Sequence, residues 1–442
     1  MLRTGSLADS TWRNRALATH RCRAGAALRR PAPLSIGLAA ALMLTACGVA
    51  SKDTASNAPA SSAASCKTIK IGAPNPLSGP LAEFGTNSVN GMELAAKQIN
   101  DAGGISSLDG AKVQIVKADT SSDNPAQAST ATTRLATSEH VVAMVGAWLG
   151  NLSLTATTAA EQARVPIVTQ SWTDELTQRG YQYTFQVNAP SSAIGADLVK
   201  YYVEAAKAAG RPSSGTVVTV APNDVSNVAQ TSAAVKAFLA AGYTALTPQY
   251  YQAGLTDVAA IVNRVAGEHP DLLLLSGSPS DAPLIVKGLR DRGVNAPIIG
   301  FGGAFIARQL KDSLGAQSQG IMSMSTWNQD LNLPGVADAA AAYRSQFAAP
   351  FMPLEAGVTW VDTWLIADAV KKAGSCDPQK IRDALANSDE TSGPASAIPG
   401  GVVAFDKSGA NTKTHPIMIQ WQGGVPRTVW PKEDATVKII LN

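Results

Sequence analysis

The stretch 216–300 begins with Thr216-Val-Val-Thr-Val220, continues through Thr244 to Tyr250 and Asp271-Leu-Leu-Leu-Leu275, and ends with Pro297-Ile-Ile-Gly300. The runs are short, and all but 244–250 are rich in Val, Ile or Leu, as strands are. Between them lie helical patterns at 225–241, 256–268 and 281–292. Strands and helices alternating in this way predict a parallel sheet covered by helices on both faces, a doubly wound α/β unit.

Working toward the N-terminus, the same unit recurs. Thr68-Ile-Lys-Ile-Gly-Ala73 is strand-like, and 90–102 places Met92, Ala95, Ala96 and Ile99 on one helical face. Lys112-Val-Gln-Ile-Val-Lys-Ala118 is the next strand, and Asp123-Asn124-Pro125 supplies a cap and an early-helix proline ahead of 126–138. Val141-Val-Ala-Met-Val145, a helix through Ala163 and Val165-Pro-Ile-Val-Thr169 complete the series. Beyond Met324 the pattern changes, and the helical stretches 358–374 and 377–386 read as a return to the first lobe before a β-rich segment, 402–441. The expected division is lobe 1 at 66–188 and 325–400 and lobe 2 at 189–324 and 401–442, with hinge strands near Asn188, Met324 and Val402. Ligands of open α/β sheets bind beyond the carboxyl ends of the strands, so two facing lobes predict a cleft lined by the loops after each strand.

Ahead of the body, residues 1–30 carry seven Arg against one Asp and lead into the apolar run 33–46. That is a basic n-region and an h-region, too short and alanine-rich for a spanning helix. Leu44-Thr45-Ala46-Cys47 resembles the lipobox of bacterial lipoproteins, so 1–46 is read as a signal peptide and Cys47 as the lipid-bearing residue. Residues 48–65, mostly Ala, Ser and Pro, have almost nothing to bury and read with Cys47 as a flexible tether, 47–65. Export would place the protein at the outer face of the cytoplasmic membrane, held by lipid alone.

Removing those seven Arg and one Asp turns a formal charge of +3 into −3, so the basic balance belongs to the leader. No Lys/Arg stripe remains in the body, and nucleic acid is not an expected partner. The two Cys left after Cys22 and Cys47 are Cys66 and Cys376, which are expected to pair in an oxidising compartment. Free buried thiols are the alternative reading, because spacing alone does not fix the distance between them.

The composition, 45% hydrophobic and 16% charged over 442 residues, excludes collagen, coiled coil and wholesale disorder. Enzymatic constellations are missing from the sequence. There is no Gly-x-Ser-x-Gly elbow, no phosphate loop, no His-Glu-x-x-His and no Cys-x-x-Cys. Gly300-Phe-Gly302-Gly303 lacks the third glycine of a dinucleotide fingerprint and reads as a tight strand-to-helix turn that lets backbone approach a ligand. His140, His269 and His415 stand in three distant segments, and the first two read as solvated turn residues before strands. No metal, no cofactor and no catalytic activity are expected.

Several short patterns then fall in a telling order: Ile71-Gly-Ala-Pro-Asn-Pro-Leu-Ser-Gly-Pro80 with Phe84-Gly85, Gly91-Met-Glu-Leu-Ala-Ala-Lys-Gln-Ile-Asn-Asp-Ala-Gly-Gly104, Ala118-Asp119, Val145-Gly146, Ala163-Arg-Val-Pro-Ile-Val168, Asp174-Glu-Leu-Thr177 with Gly180, and Phe405-Asp406-Lys-Ser-Gly409. With them the chain resembles, over 67 to about 425, the branched-chain amino-acid-binding receptors of ABC transporters, the type I periplasmic binding proteins. The resemblance implies two Rossmann-like lobes joined by hinge strands, a small solute caught by lobe closure, and a permease with its ATPase as partners of a monomer. A sensor of the same fold, reporting occupancy to a regulator, is the other reading.

Carried over position by position, the resemblance makes Phe84 an aromatic that packs on the ligand. It makes Trp148, Leu149, Gly150 and Asn151 a carboxylate-binding loop, with Gly150 where the family often has Ser. Ser171, Trp172 and Thr173 match the next ligand loop, Ser226 and Asn227 a loop of the second lobe, and Ser278 a position that is often Tyr. Gly302 stands where amino-acid binders usually place a Glu against the ligand's ammonium. A buried cation without a counter-charge is costly, so either Asp224 or Asp281 replaces that Glu or the ligand has no ammonium. Trp148 and Trp172 favour a flat or apolar ligand.

Overall fold

The buried runs pair in parallel because helices cover both of their faces. In the computed structural model of the chain, which describes residues 66–212 and 214–441, β1 (Thr68–Asn75), β2 (Lys112–Asp119), β3 (Ala143–Val145), β4 (Ile167–Thr169) and β5 (Thr184–Gln186) form an all-parallel sheet. Its order is β2-β1-β3-β4-β5. The crossovers are α1 (Ala82–Asp101), α2 (Pro125–Thr137) and α3 (Gly150–Ala163). Asn124 caps α2 as its sequence implies, its side chain accepting from the Gln127 N–H ahead of Pro125. The expected signal peptide, the lipid-bearing Cys47 and the tether lie outside the described residues.

After α4 (Ser191–Ala208), a second sheet is built from β6 (Thr216–Pro222), β7 (Thr244–Ala245), β8 (Gln249–Tyr251), β9 (Leu272–Ser276), β10 (Ile298–Phe301) and β11 (Met322–Ser325). All are parallel, connected by α5 (Val225–Ala240), α6 (Ala259–Gly267), α7 (Ala282–Asp291) and α8 (Arg308–Leu314). Every residue of β9 is buried, which is why it runs as four consecutive leucines before Ser276. Next come α9 (Val336–Phe347), α10 (Leu354–Ala373), α11 (Pro378–Ala386), and the short pair β12 (Asp389–Glu390) and β13 (Val403–Ala404). Finally β14 (Ile417–Gln422) and β15 (Val425–Trp430) extend the second sheet in the antiparallel sense. The fold is thus the two-lobed α/β architecture expected.

Helix α10 is apolar on nearly every side and buries against α1, where Gly91 lets the backbones meet; a Cβ there would stand 2.1 Å from the Ala356 carbonyl oxygen. One buried apolar cluster joins Leu94 and Ala95 of α1, Ala356 and Trp360 of α10, Trp327, and residues of β9, β10 and β14. A second fills the far side of the first sheet, with Ile69, Ile71, Val168 and Ile381 among its members.

The return to the second lobe comes later than residue 401. β13 pairs with β12, Phe405 packs on Phe185 at 5.0 Å between ring centroids, and Ala410 bridges to Gln186, so the chain leaves the first sheet only between Asn411 and Ile417. The physical reason is aromatic: Phe405 completes the apolar edge beside β5. Helix α4 follows the first crossing without having been singled out in the sequence, although Ile194, Leu198, Tyr201 and Ala205 form its buried stripe. His140 and His269 do occupy turns, with φ of 54° and 48°, each three residues ahead of a buried strand.

The Cα atoms of Cys66 and Cys376 stand 6.2 Å apart, inside bridging range, and the two are joined across 310 residues. Cross-linking so long a loop removes much freedom from the unfolded chain. Reduction is therefore expected to lower stability by roughly 3–5 kcal/mol. Melting curves with and without a phosphine reductant check this, and unchanged curves would mean that the link contributes nothing.

Candidate ligand-binding site

The two sheets present their carboxyl ends to each other, and the loops that follow the strands enclose a cavity of about 460 Å³. Leu81, Ser122, Trp148 to Asn151 and Gln170 to Trp172 line it from the first lobe, and Asp224 to Asn227, Gln230, Ala253, Gly302 and Gly303 from the second. A larger groove of about 780 Å³ lies elsewhere on the second lobe, between α4 and residues 430–433. Its walls are exposed side chains of both charges, such as Lys200, Glu204 and Lys432, and no loop after a parallel strand reaches it.

Helix α3 starts at the cavity wall. Leu149 precedes it without a side-chain cap, and the N–H groups of Gly150 and Asn151 have no acceptor among the described residues. The positive end of the helix and two open donors suit a carboxylate or a carbonyl oxygen. Beside them the Trp148 ring stacks on Phe84 at 5.4 Å and meets Trp172 edge-on at 6.5 Å. Phe84 itself is buried behind Trp148, its ring against Gly303, and does not line the cavity. Its part is to back the tryptophan.

Gly150 has a steric reason to be glycine. A Cβ there would fall 2.4 Å from Thr173 Oγ1 and 2.9 Å from Ser226 Oγ, because those two hydroxyls meet at 2.9 Å across the lobes. Thr173 is fully buried and serves that bridge rather than the cavity wall. Its loop is held from both crossings: Gln186 Nε2 donates to the carbonyls of Ser171 (2.8 Å) and Thr173 (3.1 Å), Asn188 Nδ2 to that of Gln170 (2.7 Å), and Trp172 Nε1 to Thr326 Oγ1 (3.3 Å).

On the second lobe Asp224 caps α5, its Oδ1 accepting from the Asn227 N–H at 3.0 Å and its Oδ2 from Asn227 Nδ2 at 2.5 Å. Asn227 in turn accepts from Ser276 Oγ at 2.6 Å. Gly302 has a φ of 76°, a backbone region that favours glycine, and a Cβ there would stand 3.0 Å from Ser276 Oγ. A Glu at this position would be strained whatever the ligand.

Asp281 is fully buried and off the cavity, accepting from Ser278 N (2.7 Å), Gly254 N (2.6 Å) and Tyr251 Oη (2.9 Å). It is therefore satisfied internally, and Asp224 is the acid left at the wall. Ser278 is likewise drawn into that turn, its hydroxyl paired with Ser280 at 2.8 Å, and does not reach the cavity. Sequence reasoning passed over Leu81, Ser122, Gln170, Val225, Gln230 and Ala253, whereas Gly303 lies in the turn read as one that lets backbone approach a ligand. Ser122, Gln170, Val225 and Ala253 come within three residues of a strand end, which was the available signal; Leu81, at the start of α1, and Gln230, inside α5, carried none.

The family described as periplasmic binding protein matches residues 68–424. Leu/Ile/Val-binding protein homolog 7 of Brucella abortus is 26% identical over 385 residues, covering 84% of this chain and 94% of that protein. Among solved structures, the branched-chain amino acid transporter substrate binding protein LivJ of Streptococcus pneumoniae, in complex with isoleucine, is 27% identical with a TM-score of 0.70, covering 82% of this chain and 100% of the other. A solute binding protein of R. palustris in complex with benzoate superposes with a TM-score of 0.69 at 18% identity, over 84% and 98% of the two chains.

Proposed function

The chain belongs to the periplasmic binding protein family, and from that premise we propose that it is the exported, lipid-anchored receptor of an ABC importer, closing its lobes on one small solute and handing it to a permease. The observation that carries this reading is the Thr173–Ser226 contact across the cavity, 2.9 Å between side chains of different lobes, which closure makes and opening breaks. Anchorage through Cys47, a monomeric state and delivery rather than turnover belong to the same proposal.

The isoleucine of the pneumococcal relative favours an amino acid, and the open N–H groups of α3 agree with a carboxylate. Gly302 weighs the other way, since no acid stands there for an ammonium. A small carboxylate or amide meets both observations. The test has two stages. A thermal-shift screen of amino acids, carboxylates and amides is expected to give a hit that raises the melting temperature, because binding only to the folded state must do so. Uptake of that labelled hit is then expected to fall at least about tenfold in a strain lacking the gene. Undiminished uptake with a lost transcriptional response would turn the assignment toward a sensor of the same fold.

A further inference from the structure

We propose that Gln170 is the ligand's polar anchor and that the solute is a planar carboxylate bearing a neutral O–H or N–H donor, an inference that rests on the cleft being the solute site. Gln170 lines the cavity yet is completely buried, and its Oε1 has no hydrogen-bond partner. Which amide atom is free follows from the neighbours. Asn75 Nδ2 donates to the Val145 carbonyl at 3.1 Å, turning its Oδ1 toward Gln170, and Ser88 spends its one hydroxyl proton on the Phe84 carbonyl at 2.8 Å. Both therefore accept, and Gln170 Nε2 donates to them at 3.3 and 2.8 Å. The amide atom left without a partner, on this residue of the cavity wall, is the carbonyl oxygen.

An orphaned buried acceptor on a cavity wall is costly until a ligand donor meets it. That donor is uncharged, since an ammonium would be enclosed beside a neutral amide with no acid at Gly302. The remaining acid at the wall, Asp224, belongs to the other lobe, where it caps α5 and both its oxygens accept from Asn227. The opposite end of the ligand meets the free Gly150 and Asn151 N–H groups, which take an anion. Between the two ends stands Trp148, stiffened from behind by Phe84 and edged by Trp172, a wall that prefers a flat body.

Calorimetric titration of the purified protein with benzoate, the three monohydroxybenzoates and phenylalanine tests this. At least one hydroxybenzoate is expected to bind about tenfold or more tighter than benzoate, because its hydroxyl satisfies Oε1, and phenylalanine to bind at least about tenfold weaker than that isomer. In Gln170→Met, which keeps the length and removes the acceptor, the ratio of hydroxybenzoate to benzoate affinity is expected to shrink to within about threefold, whatever the variant does to benzoate itself. Benzoate binding as tightly as all three isomers would overturn the assignment, on wild-type protein alone. So would an advantage that survives in Gln170→Met, or phenylalanine as the tightest of the five. Silence from all five compounds would reject the ligand class, while the receptor reading is decided separately by the uptake experiment.

Discussion

Raising the pH from about 5 to about 8 is expected to lower the melting temperature of the wild-type protein steeply, and the double variant Glu355→Gln, Asp362→Asn to remove most of that fall. Both acids lie on α10, buried, with one oxygen of Glu355 and both of Asp362 lacking a hydrogen-bond partner. Burial pushes the Glu355 carboxyl up to about 8; Glu83 adds like charge, and Asn87 and the backbone only partly offset this. Burial alone drives Asp362 well above the usual carboxylate range.

The sign of the effect follows from proton counting. Between the unfolded value of 4.5 and about 8, the folded state holds a proton on Glu355 that the unfolded state has released, so stability falls as pH rises. For Glu355 alone the loss is on the order of 4 to 5 kcal/mol over that window, and Asp362 acts in the same direction. His415, its affinity for a proton raised chiefly by its hydrogen bond to Asp434, loses stability in the same sense above about pH 6.5. The difference between the two proteins is therefore the measurement, by calorimetric melts at pH 5, 6.5 and 8. Parallel curves would show that these acids are solvated or paired in solution.

Gly150→Ser is expected to cost about ten- to a hundredfold in ligand affinity while leaving the ligand-free melting temperature nearly unchanged. The added Cβ collides with the Thr173–Ser226 contact, and overpacking of this kind costs roughly 1–3 kcal/mol. Opening the lobes relieves it, so the burden falls on the closed, occupied form. Calorimetry with the first solute found by the screen, together with small-angle scattering of the occupied variant, checks both parts. Wild-type affinity in the variant would mean that this contact is not part of closure. The resemblance marked Gly150 as the loss of a hydroxyl donor; the structure adds that Ser226 and Thr173 supply hydroxyls in the space a serine would need.

Much of the fold was legible because buried parallel strands announce themselves. The four consecutive leucines of β9 and the cap ahead of Pro125 have one reading each. The stripe of α4 was equally present, but a run opening on Ser191-Ser192-Ala193 after Pro190 looks like a linker until the neighbouring α5 is there to cover it. The later crossing, beyond Asn411, depends on Phe405 finding Phe185, some 220 residues earlier in the chain. In the site, loops after strands could be placed by order alone, which is why Trp148, Asn151 and Ser226 fall at the wall. Direction within a loop could not. Ser278 turns inward because Asp281 claims its N–H, and Gln170 owes its free oxygen to Asn75 and Ser88, contacts no spacing rule encodes.

The apolar cluster running from α1 and α10 through Trp327 to β9, β10 and β14 means that the interior of the second lobe continues into the first, which keeps a further core of its own around Ile69, Ile71 and Val168. Motion between them must slide along a greasy seam, as shear between packed helices does, rather than swing on bare strands. The same seam couples the two lobes: a lesion among its residues is expected to weaken both.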